Sequence, residues 1–163
     1  MNGGATLPTL VLLLARLERL NEAFMSGVCR RHDLSPSELR VLAMLRHRAD
    51  DHQVSPSVLA RWIVQTSGGL TATLRRLEEA GHVERVADPD DGRGRLVRLT
   101  DRGAERYEDV FADLTRRYGV VFADLDQVAA LEAVRSIIGA FEEHEDIGRT
   151  GDWQADLTME ALA

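Results

Sequence analysis

Small and hydroxylated residues open one helical segment of the chain, residues 65–81, and arginines follow them within two turns. Leu70, Leu74 and Leu77 recur at helical spacing in this segment, so they are expected to face the core. Hydroxyl groups and Arg can contact phosphates and base edges, and the exposed amides of a helix N-terminus suit a phosphate. The opposite face therefore has the chemistry to contact a nucleic acid, and it consists of Ser67, Gly68, Thr71, Ala72 and Arg75.

A charged hairpin is predicted directly after this helix, which Gly81 is expected to end. Residues 82–86 and 96–99 have strand character, and the tip between them contains Pro and two Gly. The tip also carries Arg93 and Arg95, which lie where a phosphate or a groove would be met. Arg93 could insert into a narrow minor groove, where Arg is favoured, or could simply be solvated.

Two shorter helices are predicted before the nucleic-acid-contacting segment. Ser35 to Glu38 reads as a capping box with Pro at the first helical position, and it opens a helix that ends near residues 47–50. A polar loop over residues 50–53 separates it from a short helix at 57–62. Two helices followed by a charged hairpin is the layout of a winged helix-turn-helix, in which Ser57 and Thr66 are further candidate DNA contacts.

Both ends of the chain carry apolar helical stripes that this module does not need. The first helix is predicted over residues 7–31, and two more follow Thr100, the last of them capped by Asp126. A helix this apolar at the start of a small protein requires a partner. Candidate dimerisation residues are Leu10, Leu13, Leu17, Leu20, Val128, Leu131 and Ile138.

The net charge of −7 is unevenly distributed. Residues 61–98 hold seven Arg and six acidic residues, whereas the remainder holds thirteen Arg and twenty-one acidic residues. Phosphate attraction depends on the local face, so the total does not exclude DNA binding. No apolar run is long enough to cross a membrane, and no signal peptide is recognisable. The lone Cys29 agrees with a reducing compartment. We therefore expect a cytoplasmic location.

The sequence resembles the MarR family of bacterial transcriptional regulators from about residue 7 to residue 145. The resemblance implies a mainly α fold with a small β-hairpin wing in one domain, residues 1–163. Residues 34–100 would form the winged module, 7–32 and 101–146 the dimerisation helices, and 147–163 a tail. The segments that carry the resemblance are LSPSELRVLAML (34–45), SPSVLARW (55–62), TSGGLTATLRRLEEAGHVER (66–85) and DPDDGRGRLVRLTDRG (88–103).

The resemblance further implies a homodimer on palindromic DNA, with half-sites about 10 bp apart. It would be a repressor released by a small, anionic aromatic ligand that binds between the dimerisation helices and the winged module. Arg93 occupies the position of the family's wing arginine. Ala72 departs from the family, which often has Arg there, so base reading would depend on Thr71, Arg75 and Ser67.

Several alternatives stay open at the level of sequence. Arg76 could contact DNA or position the helix by pairing with an acid in the wing. Cys29 could be a redox sensor, although a packed, inert thiol is favoured. A winged-helix module that binds protein instead of DNA is the competing function. The five His show no metal-ligand spacing, and no cofactor or catalytic motif is recognised, so neither a metal site nor enzymatic activity is expected. Trp62 and Met44 are expected in the core or a pocket wall.

Overall fold

A computed structural model describes residues 3–63, 67–91 and 94–144 of the chain. These residues form helices and one small antiparallel sheet, as the sequence predicts. In chain order the elements are α1 (Gly3–Cys29), α2 (Pro36–His47), β1 (Gln53–Val54), α3 (Pro56–Ile63), α4 (Ser67–Glu79), β2 (Val83–Ala87), β3 (Arg95–Leu99), α5 (Asp101–Val121) and α6 (Gln127–His144).

Local capping fixes where these helices begin. The Ser35 hydroxyl accepts a hydrogen bond from the Glu38 amide at 3.2 Å, and the Glu38 carboxylate accepts one from the Ser35 amide at 2.7 Å. This reciprocal pair satisfies two amides at the start of α2 and confirms the predicted capping box. The predicted cap of α6 is also confirmed, because Asp126 Oδ1 accepts a hydrogen bond from the Ala129 amide at 3.1 Å.

Helix α4 ends near Gly81, as predicted. Gly81 adopts a left-handed backbone conformation with a φ of 73°, which a glycine reaches without steric cost. Its amide donates to the carbonyl of Glu78 at 2.9 Å, and the amide of His82 donates to the carbonyl of Leu77 at 2.9 Å. These two hydrogen bonds satisfy carbonyls that the end of α4 would otherwise leave without partners.

The sheet contains one strand more than the predicted hairpin. Its order is β1-β3-β2, and the short strand β1 pairs through Gln53 with Arg98 and through Val54 with Val97. The prediction of a polar loop over residues 50–53 is therefore wrong at its end. Two residues are too few to show an alternating pattern, and pairing with the free edge of β3 makes them a strand.

The predicted bounds of two helices also shift. α1 ends at Cys29 and not at residue 31, because the chain tightens into a 3-10 turn over Arg30–His32. Asp33 then takes a left-handed φ of 54°, which redirects the chain toward α2. α3 begins at Pro56, one residue earlier than expected.

The hydrophobic core lies among α2, α3, α4, α5 and the sheet, and the end of α1 joins it. Leucines from α2, α3 and α4 fill its centre, and all have exposed fractions of 2% or less. They are Leu42, Leu45, Leu59, Leu74 and Leu77. Burial of one face of α4 fixes the opposite face toward solvent.

Candidate nucleic-acid interface and internal cavity

The exposed face of α4 carries most of the residues that the sequence assigns to DNA contact. Leu70, Leu74 and Leu77 are buried on the core side, with 3% or less of their surfaces exposed, as predicted. Gly68, Thr71 and Arg75 are exposed on the other side, and Ala72 is half-buried between them; these four line a shallow groove. A backbone or base edge can therefore approach this helix closely, since the side chains near its N-terminus are small.

The two arginines of α4 have different surroundings. The Arg75 Nε atom lies 3.6 Å from a carboxylate oxygen of Glu79, and both side chains are largely exposed, so this pair constrains Arg75 weakly. The Arg76 Nε atom donates to Oε1 of Glu38 at 2.7 Å. The prediction that Arg76 pairs with an acid in the wing is thus wrong, because Arg76 pairs instead with Glu38 of the α2 capping box.

Burial raises the pKa of the Glu38 carboxyl, but hydrogen bonds from Arg76 and Ser35 outweigh that effect and hold the pKa below its usual value of 4.5. Glu38 is therefore ionised at neutral pH. It joins the start of α2 to the last turn of α4, and so it helps to fix where the exposed face of α4 points.

Two of the remaining predicted DNA contacts flank α4 along the chain. Ser57 is exposed near the start of α3, where its hydroxyl lies 3.0 Å from that of Ser55. Arg95 is exposed at the start of β3. Thr66 and Arg93 lie outside the described residues, and so does the side chain of Ser67, the first residue of α4.

A tightly packed corner attaches the wing to α5. The Thr100 hydroxyl donates toward the carbonyls of Gly81 and His82, at 2.8 and 3.0 Å, and accepts from the Gly103 amide at 3.0 Å. A Cβ at Gly103 would lie 2.0 Å from the carbonyl oxygen of His82, so only glycine fits this approach. The corner thus joins the base of the hairpin to the start of α5.

The predicted dimerisation residues are solvent-exposed in the isolated chain. Each exposes between 40% and 69% of its surface, a range unusual for so many large apolar side chains on two helices. They are Leu10, Leu13, Leu17, Leu20, Val128, Leu131 and Ile138.

An apolar cavity of about 290 Å³ lies between α2 and the two helices α1 and α5. Aromatic residues of α5 form one wall; the rings of Tyr107 and Phe111 stack with their centroids 5.5 Å apart. Met44 of α2 lines the cavity, as predicted for a pocket wall, and Arg48 lies at its edge. The lining residues of this cavity are not predictable from the sequence, because aromatic residues at helical spacing in α5 indicate core packing as readily as a cavity wall.

Cys29, His32 and His47 are all engaged in packing or hydrogen bonding within the protein. Cys29 is wholly buried, and burial raises the pKa of its thiol, which disfavours the reactive thiolate that a redox sensor needs. His32 lies 3.4 Å from a carboxylate oxygen of Asp113, and His47 is hydrogen-bonded to the Tyr107 hydroxyl at 2.9 Å. Among the described residues, no three His, Cys, Asp or Glu side chains are placed to hold a metal ion. No helix in the described part of the chain is long and apolar enough to span a bilayer.

Comparison with known proteins gives concordant results. Residues 32–94 match the family model described as MarR family. The chain is 33% identical over 123 residues to the multiple antibiotic resistance protein MarR of Escherichia coli, which covers 71% of this chain and 77% of that protein. It is 28% identical over 138 residues to the transcriptional regulator PecS of Dickeya dadantii, with 84% of this chain and 82% of that protein covered.

Solved structures agree in fold. A cysteine-to-serine mutant of E. coli MarR complexed with operator DNA superposes with a TM-score of 0.66 at 26% identity, covering 80% of this chain and 93% of that chain. NadR in complex with 4-hydroxyphenylacetate superposes with a TM-score of 0.63 at 21% identity, covering 89% of this chain and 98% of that chain.

Proposed function

Because the chain belongs to the MarR family of DNA-binding transcriptional regulators, we propose that it acts as a homodimeric repressor released by a small anionic aromatic ligand. This family is a class of regulators and not of enzymes. The observation that carries the proposal is the exposed face of α4, which presents Gly68, Thr71 and Arg75 away from the core. We place the protein in the cytoplasm, where its DNA would be.

In the proposed complex, α4 of each protomer enters the major groove. Thr71 and Arg75 contact base edges and phosphates, and the start of α4 directs its amides at a phosphate. Arg93 at the wing tip enters the adjacent minor groove, and Arg95 meets a phosphate. Ser57, Thr66, Ser67 and Arg76 complete the contact set, with Arg76 acting chiefly through its pair with Glu38.

The proposed dimer buries the apolar faces of α1 and α6. Seven large side chains with 40% to 69% exposure support it, since full burial of one such residue contributes about 1.5–3 kcal/mol. Two-fold symmetry then sets the distance between the two α4 helices. Palindromic half-sites one helical turn apart, about 10 bp, would match that distance.

The effector is proposed to bind in the cavity between α2, α1 and α5. Its volume of about 290 Å³ suits a single substituted aromatic ring, because a cavity of about 150 Å³ already accepts benzene. The cavity lies between the proposed dimerisation helices and the winged module, so a ligand there can favour a dimer with an altered α4 spacing. Release from DNA is then a population shift between two dimer states.

The test is an electrophoretic mobility shift of the purified protein on the DNA upstream of its own gene. We expect one discrete complex, one dimer per palindrome, that weakens as salt is raised. The Arg75→Ala variant should bind more weakly, and Arg46→Ala, on an exposed side chain of α2 paired with Glu108, serves as a charge-matched control. A folded dimer that shifts no DNA at low salt would support a protein-binding module instead.

A further inference from the structure

The shallow groove on the exposed face of α4 has a regular composition along its length. It is lined by Gly68, Thr71, Ala72 and Arg75. The last three follow Gly68 by three, four and seven residues, so the four positions form one stripe on the helix. With a rise of about 1.5 Å per residue, the stripe is about 10 Å long. It therefore extends over about three base pairs of a duplex, which are stacked about 3.4 Å apart.

Small and mainly apolar groups form the middle of this groove. Gly68 has no side chain, and a Cβ built on it meets nothing within 4 Å among the described residues. Ala72 is half-buried and contributes one methyl group, and the exposed Thr71 contributes a methyl group beside its hydroxyl. The side chains of Gly68 and Ala72 offer no hydrogen-bond donor or acceptor. A base edge that enters the middle of the groove is therefore selected by its shape and its apolar groups.

The groups that bind phosphate lie at the two ends of the groove. The amides of the first turn of α4 are at one end, where a helix leaves its N–H groups without intrahelical partners. The Arg75 guanidinium is at the other end, and its nearest carboxylate, that of Glu79, is 3.6 Å away and largely exposed. A phosphate is thus favoured at either end, and an apolar group is favoured between them.

Thymine is the one base that presents an apolar group in the major groove. Its C5-methyl group projects from the base edge, whereas adenine, guanine and cytosine are distinguished there by hydrogen-bond donors and acceptors. Alanine side chains and threonine methyl groups are suited to contact with this methyl group. The middle of the α4 groove has both.

We propose that the groove of α4 receives the C5-methyl group of a thymine, so that each operator half-site carries a thymine at the position that faces Thr71 and Ala72. The proposal rests on the DNA binding of the proposed function and specifies one base that α4 selects. Such a contact needs no hydrogen bond to the base. Uracil differs from thymine only in lacking the methyl group, so exchange of one for the other isolates the contact.

A uracil scan of the bound upstream DNA provides the test. Each thymine of the palindrome is replaced by uracil in turn, at the same position of both half-sites, and the affinity of the full-length dimer is measured by fluorescence anisotropy at fixed salt. At one thymine of each half-site, we expect replacement to lower the affinity about fourfold, and about fifteenfold when both half-sites are changed, as for the loss of one buried methyl group. The other thymines are internal controls and should leave the affinity unchanged.

Variants of the groove connect the methyl group to particular residues. Gly68→Ala places a methyl group of the protein in the groove, and no described residue opposes it within 4 Å, so the variant should fold and lose the preference for thymine over uracil. Thr71→Ser keeps the hydroxyl, removes the methyl group and should reduce the preference. Arg75→Ala should bind both duplexes more weakly but retain the preference. The matched control is Gly119→Ala, the same change in α5, which should behave as the wild type.

The outcomes distinguish this inference from the function on which it rests. If the protein binds the upstream DNA but no exchange of thymine for uracil changes its affinity, methyl recognition is refuted and DNA binding stands. If Gly68→Ala weakens binding to the thymine and uracil duplexes equally, the groove accommodates the sugar–phosphate backbone and the inference is overturned. A folded dimer that binds neither duplex at low salt contradicts the proposed function and, with it, this inference.

Discussion

Replacing Glu38 with glutamine removes the charge that links α2 to α4 while preserving most of the local geometry. Glutamine can still accept from the Ser35 amide, so the capping box is retained. The charged hydrogen bond from Arg76, 2.7 Å long, is lost. Glu38→Ala removes both interactions, and the two variants together separate the cap from the ion pair.

The expected loss of unfolding free energy follows from the exposed fractions of the Glu38 and Arg76 side chains. The Glu38 side chain is 9% exposed, whereas that of Arg76 is 49% exposed, so solvent screens the pair. Exposed pairs contribute about 0–1 kcal/mol and hydrogen bonds to charged groups about 1.5–3 kcal/mol. We therefore expect Glu38→Gln to lower the free energy of unfolding by about 1 kcal/mol. Loss of the cap adds about 1 kcal/mol more in Glu38→Ala.

The assay is chemical unfolding of the wild type and both variants at pH 7 and at lower pH. The folded-state pKa of Glu38 lies below its unfolded value of 4.5. Its contribution is therefore complete above pH 4.5 and is lost as the pH falls through the folded-state pKa. The difference in unfolding free energy between the wild type and Glu38→Gln should narrow below pH 4.5.

The same variants separate positioning from DNA contact at Arg76. If Arg76 acts through Glu38, Arg76→Ala and Glu38→Gln both weaken DNA binding without changing its salt dependence. The reasoning is refuted if Glu38→Gln is as stable as the wild type and Arg76→Ala alone lowers the salt slope by about one, the mark of a phosphate contact.

Three further predictions follow from single positions. Gly103→Ala should lower the unfolding free energy by about 3 kcal/mol, because the added Cβ would lie 2.0 Å from the carbonyl oxygen of His82. The matched control is Gly119→Ala, whose Cβ would have no other atom within 4 Å, and it should raise the unfolding free energy by about 0.5 kcal/mol. Leu17→Asp should convert the proposed dimer to a monomer, and an intact dimer by light scattering would contradict the α1 interface. Burial is the main cause that lowers the pKa of His82 below its usual value of 6.5, and the charge of Arg106 is the second. The free energy of unfolding should therefore decrease as the pH falls below 6.5, and His82→Gln should reduce that pH dependence.

Sequence reasoning succeeded where one local signal decides the structure. The Ser35 capping box, the glycine at position 81 and the leucine stripe of α4 each act within a few residues, so their outcomes do not depend on the rest of the chain. These three features position the exposed face of α4. For this reason the sequence alone predicts that Gly68, Thr71 and Arg75 lie on the exposed side of the helix.

The features that sequence missed depend on contacts between distant segments. Strand β1 exists because it meets the edge of β3, more than forty residues away. The partner of Arg76 is Glu38, which reads from sequence only as a helix cap. Likewise, Arg48 follows α2 as an ordinary terminal arginine, and only the fold brings it over Trp62 and beside the cavity.

The salt dependence of DNA affinity for the wild type and Arg75→Ala tests the central claim most directly. The account predicts that the logarithm of the wild-type association constant for palindromic upstream DNA falls linearly with the logarithm of salt concentration. Arg75→Ala should bind more weakly with a slope smaller by about one per protomer, and Arg46→Ala should match the wild type. Identical affinities and slopes for the wild type and Arg75→Ala would contradict the assignment of α4 as the DNA-reading helix.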